Sequence, residues 1–364
     1  MMAMRKAWLL LATVFTFLPV LAQPTKIAVI GLVHAHYRSN LPHMVGRSDV
    51  QLVGIAETLP DLIAEAKRIA PDAPFFDDYK KMLDQTKPDV VWAFVENNRH
   101  LEIARECAPR KINLIFEKPL ASTFKDAQEI AALARRNGIQ VMCNYQMAWW
   151  PSNVQAKQLV DSGVIGKPWR LHGIVGHGGP GSDGTGKHFF DWLTDPVANG
   201  AGALVDFGCY NALWSLWYMG RPESVYAEEI HLRPTRFPKV EDSAALVLRY
   251  PTGINVFEAS WDLPRGFQDL EIFGSSGTED HLTRGSVYMT HQKLELRKNG
   301  GKAEEIPLTP LPAAESDPIA LMVSALRNHK QIEGETALDI NLGVVEIIEA
   351  AKESVRTGRA VKLR

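Results

Sequence analysis

KIAVIGLVHAH, residues 26–36, is the stretch on which the fold turns. Lys26 to Ile30 form a short apolar run suited to a buried parallel strand, and the run feeds directly into Gly31. A strand that ends on glycine and opens a helix starts a dinucleotide-binding unit, whose full fingerprint is Gly-x-Gly-x-x-Gly. The glycines allow a tight turn, close approach of the backbone to pyrophosphate, and helix packing. Only the first is present here; Val33 and His36 stand at the second and third. On these residues alone, an ordinary strand-to-helix turn of an α/β domain carries equal weight.

Working outward, the same alternation continues. Apolar strand-like runs at Val50–Ala56, Asp89–Val95, Asn113–Phe116 and Ile139–Cys143 are separated by helical spacing at Pro60–Ile69, His100–Cys107 and Thr123–Asn137, the last ending at Gly138. Such alternation predicts a Rossmann doubly wound parallel sheet over residues 23–147. Past Trp150 the texture changes. A helix is expected at 153–162, then a strand at 169–175 and a glycine-rich loop at 176–186. Closely spaced strand runs follow at 224–230, 244–250, 253–260, 270–273 and 293–296, with late helices at 318–329 and 342–357. Residues 148–364 therefore read as an α+β domain with a mostly antiparallel sheet.

Composition narrows the function classes. The 364 residues carry 40 basic against 42 acidic side chains, which gives no basic field for nucleic acid. Cys107, Cys143 and Cys209 make neither a disulfide framework nor a Cys-x-x-Cys zinc pair. Residues 1–22 read as an export signal: Arg5 and Lys6, an apolar run from Ala7 to Leu18, and small residues before Gln23. The run is short for a membrane span and Pro19 interrupts it, so a periplasmic or extracellular protein, free of the membrane after cleavage, is expected.

Several polar residues stand where chemistry is expected. Glu57 ends the second strand, placed to accept hydrogen bonds from adenine ribose hydroxyls and to repel a 2′-phosphate, which favours NAD over NADP; a helix-N-terminal acid is the plain alternative. Lys118 follows a buried strand and points to the crevice where ligands bind. Asp206 and Tyr210 are four apart and are expected on one helical face, with a phenol whose pKa a nearby ammonium lowers. His34 and His36 suggest metal ligands, but no third partner is visible in the sequence, and no metal is expected. The nine Trp read mainly as core packing, with a cluster of them lining a sugar-sized pocket as the alternative. Trp149, Trp192 and His188, just past the glycine-rich loop, are expected at the substrate.

These motifs together resemble the Gfo/Idh/MocA oxidoreductases, the family of glucose–fructose oxidoreductase and inositol dehydrogenase, from about Lys26 to the late helices. Glu117-Lys118-Pro119-Leu120 matches the family's Glu-Lys-Pro motif. Glu96-Asn97-Asn98-Arg99-His100 matches its Pro-Asn-x-x-His, with Glu96 for Pro. Ser162-Gly163-Val164-Ile165-Gly166 matches a Ser-Gly-x-Ile-Gly turn, and residues 200–210 match the glycine-rich catalytic helix. The resemblance implies Lys118, Asp206 and Tyr210 as catalytic residues. It implies cofactor contacts from Gly31, Leu32, Val33, His34, His36, Glu57, Asn97, His100, Glu117 and Lys118. Ala148 stands where the family often has Arg, leaving Trp149 and Trp150 beside it.

The activity implied is hydride transfer between nicotinamide and a secondary alcohol of a sugar or cyclitol, with a homo-oligomer formed through the second domain's sheet. Two other readings stay open at this point. One is an exported glycosidase-like enzyme that uses transient oxidation. The other is a non-catalytic sugar-binding protein, should the altered turn not hold a dinucleotide.

Overall fold

A computed structural model of the chain describes residues 23–181, 184–278 and 281–363. The export segment read at residues 1–22 lies outside the described residues. Among those described, no helix is long and apolar enough to cross a membrane.

Six strands form the first sheet: β1 (Thr25–Ile30), β2 (Val50–Ala56), β3 (Phe75–Phe76), β4 (Val90–Ala93), β5 (Asn113–Glu117) and β6 (Val141–Asn144). They lie in the order β3-β2-β1-β4-β5-β6 and every pairing is parallel. The apolar runs are buried on both faces, as helices on both sides of a parallel sheet require; Ile27, Val29, Val91, Trp92, Leu114 and Ile115 have no exposed surface. Chain order reverses between β1 and β4, and the crevice beyond their carboxyl ends is where such sheets bind ligands. Helix Phe124–Asn137 shows how local sequence sets its limits. The Thr123 hydroxyl accepts the Asp126 N–H at 3.1 Å, and Gly138 takes the left-handed conformation, φ +65°, that ends it.

The second sheet has nine strands: β7 (Lys167–Gly176), β8 (Ser224–Ile230), β9 (Ser243–Tyr250), β10 (Gly253–Ser260), β11 (Phe267–Ser276), β12 (Thr283–Thr290), β13 (Lys293–Lys298), β14 (Glu304–Glu305) and β15 (Val361–Lys362). Their order is β14-β13-β12-β11-β7-β10-β9-β8-β15, antiparallel except where β7 meets β10. Helices Gly208–Met219 and Leu338–Thr357 cover one face. On the other, Trp169 and Ile254 stay exposed.

Two of the elements that escape the sequence reading show why. Helix Tyr79–Thr86 is mostly polar and buries only Met82 and Leu83, too few for a visible helical stripe. In β12, Gly285 and Ser286 interrupt the alternation. The domain division also needs correcting. Helix Pro318–Arg327, assigned from sequence to the second domain, packs its Ile319, Met322 and Val323 into one core with Ile27, Val29, Trp92 and Phe94 of the first. The Arg47 guanidinium donates to Asp317 at 3.1 Å across the same contact. A helix read in isolation carries its apolar stripe but not the address of the face it covers.

Candidate active site at the seam of the two domains

Gly31 ends β1 at φ +72°, and a Cβ there would sit 2.5 Å from Val95 Cγ1 at the end of β4. Glycine is therefore obligatory at the first fingerprint position. The Glu57 carboxylate spans the turn: Oε2 accepts the Leu32 N–H at 2.8 Å, and Oε1 accepts those of Thr58 (2.6 Å) and Leu59 (2.9 Å). Glu57 thus fits the plain reading of an acid at a helix N-terminus, and it also lines the crevice. The N–H groups of Val33 and Ala35 have no hydrogen-bond partner among the described residues. A cleft of about 260 Å³ opens beside them, lined by Gly31, Val33, Glu57, Asp77, Tyr79 and Arg99. Obligatory glycine, open amides and an acid-walled cleft suit the adenosine and pyrophosphate of a dinucleotide despite the missing glycines.

Lys118 leaves the end of β5 through a cis peptide bond to Pro119 and is 5% exposed. Its ammonium donates to the Asp206 carbonyl at 2.9 Å and to Asp206 Oδ1. It also faces the Tyr210 ring, 5.2 Å from the centroid, and the Phe207 ring at 5.6 Å. Asp206 Oδ2 accepts the Trp261 indole N–H at 2.8 Å. The structure brings the three expected catalytic residues together, but not on one continuous helix. Asp206 closes a short turn, Ala203–Asp206, Phe207 breaks the helix, and Tyr210 belongs to Gly208–Met219. Glu241 holds the short turn: its carboxylate accepts the N–H groups of Gly202 and Leu204 at 2.9 and 2.8 Å.

The charges follow from this packing. Burial raises the Asp206 carboxyl, but the Lys118 ammonium and the Trp261 indole more than offset it, and the group rests below the ordinary aspartate range. Burial lowers Lys118, and Asp206 raises it further than that, so the ammonium is fixed. Tyr210 departs from expectation. Burial pushes its phenol above the ordinary value, and Lys118 counters this only in part, so the ring is a protonated phenol at neutral pH. The expected lowering treated the ammonium alone and left out desolvation, the larger effect.

Other expected residues are placed differently. His100 has no exposed surface; its Nδ1 lies 3.1 Å from the Leu120 carbonyl and its ring stacks on Phe116, so it packs behind the turn at Lys118 rather than opening onto the crevice. Burial takes its pKa down to about 4. Glu117 is likewise fully buried and faces Trp92, Asn144 and His36. Asn97 ties the domains together, donating to Asn199 Oδ1 at 2.8 Å. Expected at the substrate, His188 instead meets Asp61 at 2.9 Å on the outer side of the nucleotide turn. Trp192 donates to the Val33 carbonyl at 3.2 Å and packs on His34, which makes it part of the turn. Trp149 donates to Asn144 Oδ1 at 2.8 Å. His188 and Trp192 lie on helix Lys187–Leu193, and position in the sequence does not say which domain that helix leans on.

Trp261 and Glu241 escaped the sequence reading, and so did a histidine of the glycine-rich loop. His177, in the glycine-rich loop, packs edge-on against Phe207 with ring centroids 5.0 Å apart, and accepts the Gly179 N–H at 2.9 Å. It lines a cleft of about 470 Å³ with Gln146, Phe207, Arg265, Asp269 and His291. Phe207 is shared by this cleft and the Lys118 cluster. The Gly-His-Gly-Gly run marked the loop; only the fold turns its histidine inward.

A Rossmann sheet whose fifth strand delivers a lysine to a second α+β domain is the architecture of a two-domain oxidoreductase. The chain belongs to the Gfo/Idh/MocA family: residues 25–145 match its oxidoreductase domain with the NAD-binding Rossmann fold, and residues 153–279 match its C-terminal domain. It is 25% identical over 211 residues to dTDP-3,4-didehydro-2,6-dideoxy-alpha-D-glucose 3-reductase of Saccharopolyspora spinosa, covering 57% of this chain and 60% of that protein. It is 23% identical over 271 residues to myo-inositol 2-dehydrogenase of Thermotoga maritima, covering 72% and 76%. The solved structure of levoglucosan dehydrogenase with NADH and levoglucosan superposes with a TM-score of 0.77 at 20% identity, over 93% of this chain and 99% of that one.

Proposed function

We propose that the chain is an NAD-dependent oxidoreductase acting on a secondary alcohol of a sugar or cyclitol, or on the corresponding ketone. The observation that carries this is the Lys118–Asp206–Tyr210 cluster at the carboxyl end of β5, between the acid-walled cleft and the cleft at His177. Gly31, Val33 and Glu57 would hold the dinucleotide, which when bound gives or takes the hydride. Two protons of the Lys118 ammonium are held by Asp206, which leaves the third for the reacting oxygen of the substrate. Tyr210, a protonated phenol, is set to donate to that oxygen as a carbonyl is reduced and to receive the proton in reverse. Gln146, Arg265 and Asp269 offer the mixed donors and acceptors that sugar hydroxyls require. The exposed Trp169 and the neighbouring Phe273 and Leu282 on the open face of the second sheet support pairing between copies.

The test is a panel of aldoses, glycosides and cyclitols with NAD, followed by NADH absorbance. Steady NADH formation with at least one of them supports the reading, and bound dinucleotide without any redox turnover overturns it. Tyr210→Phe removes one hydroxyl and is expected to lower turnover by about 10²–10⁴-fold, with NAD affinity unchanged. Cofactor choice follows from Glu57. Its carboxylate, with Asp77 and Glu96, outweighs Arg99, the one cation lining the cleft among the described residues and paired to Glu96 at 3.4 Å, so the cleft repels a 2′-phosphate. NAD is expected to bind at least about tenfold tighter than NADP, and Glu57→Ser is expected to narrow that ratio. Equal affinities in the unaltered protein would remove this role from Glu57.

A further inference from the structure

His36 stands at the third fingerprint position, and His34 lies between it and Val33 at the second. His34 and His36 leave the nucleotide turn one residue apart, and the fold brings the buried Glu117 carboxylate to meet them. One ligand atom from each of the three lies within 4.8 Å of the others. His36 Nδ1 is 2.7 Å from Glu117 Oε2, and the two imidazoles meet edge to face at 4.4 Å. The third partner that the sequence did not show is therefore present, supplied from the far end of β5.

The carboxylate is built into its position. Glu117 has no exposed surface, and its Oε1 accepts the Trp92 indole N–H at 3.2 Å and the Asn144 amide at 3.0 Å. The Trp149 indole in turn fixes Asn144 at 2.8 Å. Only Oε2 is directed to the histidines. Outer hydrogen bonds of this kind orient the carboxylate ligands of metal sites. They are also neutral donors, and a fully buried carboxylate is stabilised more by a cation on its open side than by dipoles alone.

We propose that His34, His36 and Glu117 bind a divalent cation of the zinc class. Two imidazoles with one carboxylate suit zinc, cobalt or iron(II), whereas magnesium and calcium take oxygen ligands. Three protein ligands leave a fourth tetrahedral position for an exchangeable oxygen ligand. In a tetrahedral ion, with bonds of about 2.0–2.1 Å, neighbouring ligand atoms sit roughly 3.4 Å apart. The 2.7 Å contact of His36 with Glu117 opens to that, and the wider spacings, up to 4.8 Å, close to it, through side-chain movements on the order of an ångström. The site lies on the turn itself, so a cation there would brace the segment that two glycines otherwise shape.

The experiment uses untagged chain stripped with a chelator and then titrated with Co²⁺, read by visible d–d absorption, and with Zn²⁺, read by calorimetry. One equivalent is expected to bind, with the spectrum of a tetrahedral or five-coordinate ion, and Mg²⁺ is expected not to compete. His36→Gln, at a partly exposed position, and His34→Gln are each expected to weaken binding by more than about 100-fold, and Asn144→Ala by about 10–100-fold. His36→Gln decides the matter should the buried His34 variant fail to fold. NAD affinity, measured on the same samples, separates loss of the metal from loss of the dinucleotide. No stoichiometric Co²⁺ or Zn²⁺ binding, or binding unchanged in His36→Gln, would overturn the proposal.

Discussion

Lys118→Met is expected to damage stability and activity together. The variant takes the ammonium away from the Asp206 carboxylate, 4% exposed, and leaves it the Trp261 indole as a neutral donor. Breaking a buried pair in this way costs about 3–5 kcal/mol, because the remaining charge stays desolvated. Turnover is expected to fall by about 10²–10³-fold, the usual cost of removing one preorganised donor from a reacting oxygen. Adding Asp206→Leu separates the two losses. The double variant removes both charges and is expected to recover most of the stability, measured by denaturant titration, while activity stays lost. Recovery of activity in the double variant would show that Lys118 and Asp206 only hold the fold.

The same pair fixes a pH window. Asp206 has a depressed folded pKa, so its contribution is present above the unfolded aspartate value of about 3.9 and is lost as pH falls through the lower folded value. Lys118 has a raised one, so its contribution is present below about 10.4 and is lost only as pH rises through the higher folded value. The pair therefore contributes its full stability across the neutral range.

Gly31→Ala is the second large effect. A residue with a side chain at φ +72° costs roughly 1–2 kcal/mol, and the 2.5 Å approach to Val95 Cγ1 adds overpacking of about 1–3 kcal/mol. The shift moves the Leu32 amide off Glu57 and the Val33 amide off the pyrophosphate path. Losing one charge-assisted hydrogen bond corresponds to a fall in NAD affinity of about 10–100-fold. Val95→Ala removes the clashing methyl but not the backbone strain. The double variant should then be less destabilised than the sum of the singles. Strict additivity, measured in a double-mutant cycle, would show that contact with Val95 is not why glycine is required.

Much of this architecture was legible because the first domain obeys one strong rule: buried parallel strands read as apolar runs, and β1, β2 and β5 are such runs. Lys118 and Asp206 were visible because each ends or opens an element at a motif. The protonation state of Tyr210 was not, since it depends on burial supplied by Phe207, Cys209 and Tyr145 around it. Nor was the meeting of His36 with Glu117, 81 residues apart, which exists only once β1 and β5 lie in the same sheet. His177 and His188 show the same limit. They are eleven positions apart, yet one lines the cleft beside Phe207 and the other, on helix Lys187–Leu193, meets Asp61.

The return of helix Pro318–Arg327 to the first sheet changes what a domain means in this chain. Residues 23–147 are not a portable nucleotide-binding module. Cut there, the segment would present Ile27, Val29, Trp92 and Phe94 to water on the face that the late helix covers. The polypeptide crosses the seam outward after β6, comes back near residue 318, and crosses again before helix Leu338–Thr357 on the second sheet, so the clefts on either side of Lys118 are strapped by three connections. Any opening between them must flex all three at once, which favours small adjustments of the seam over wide swings of one half against the other.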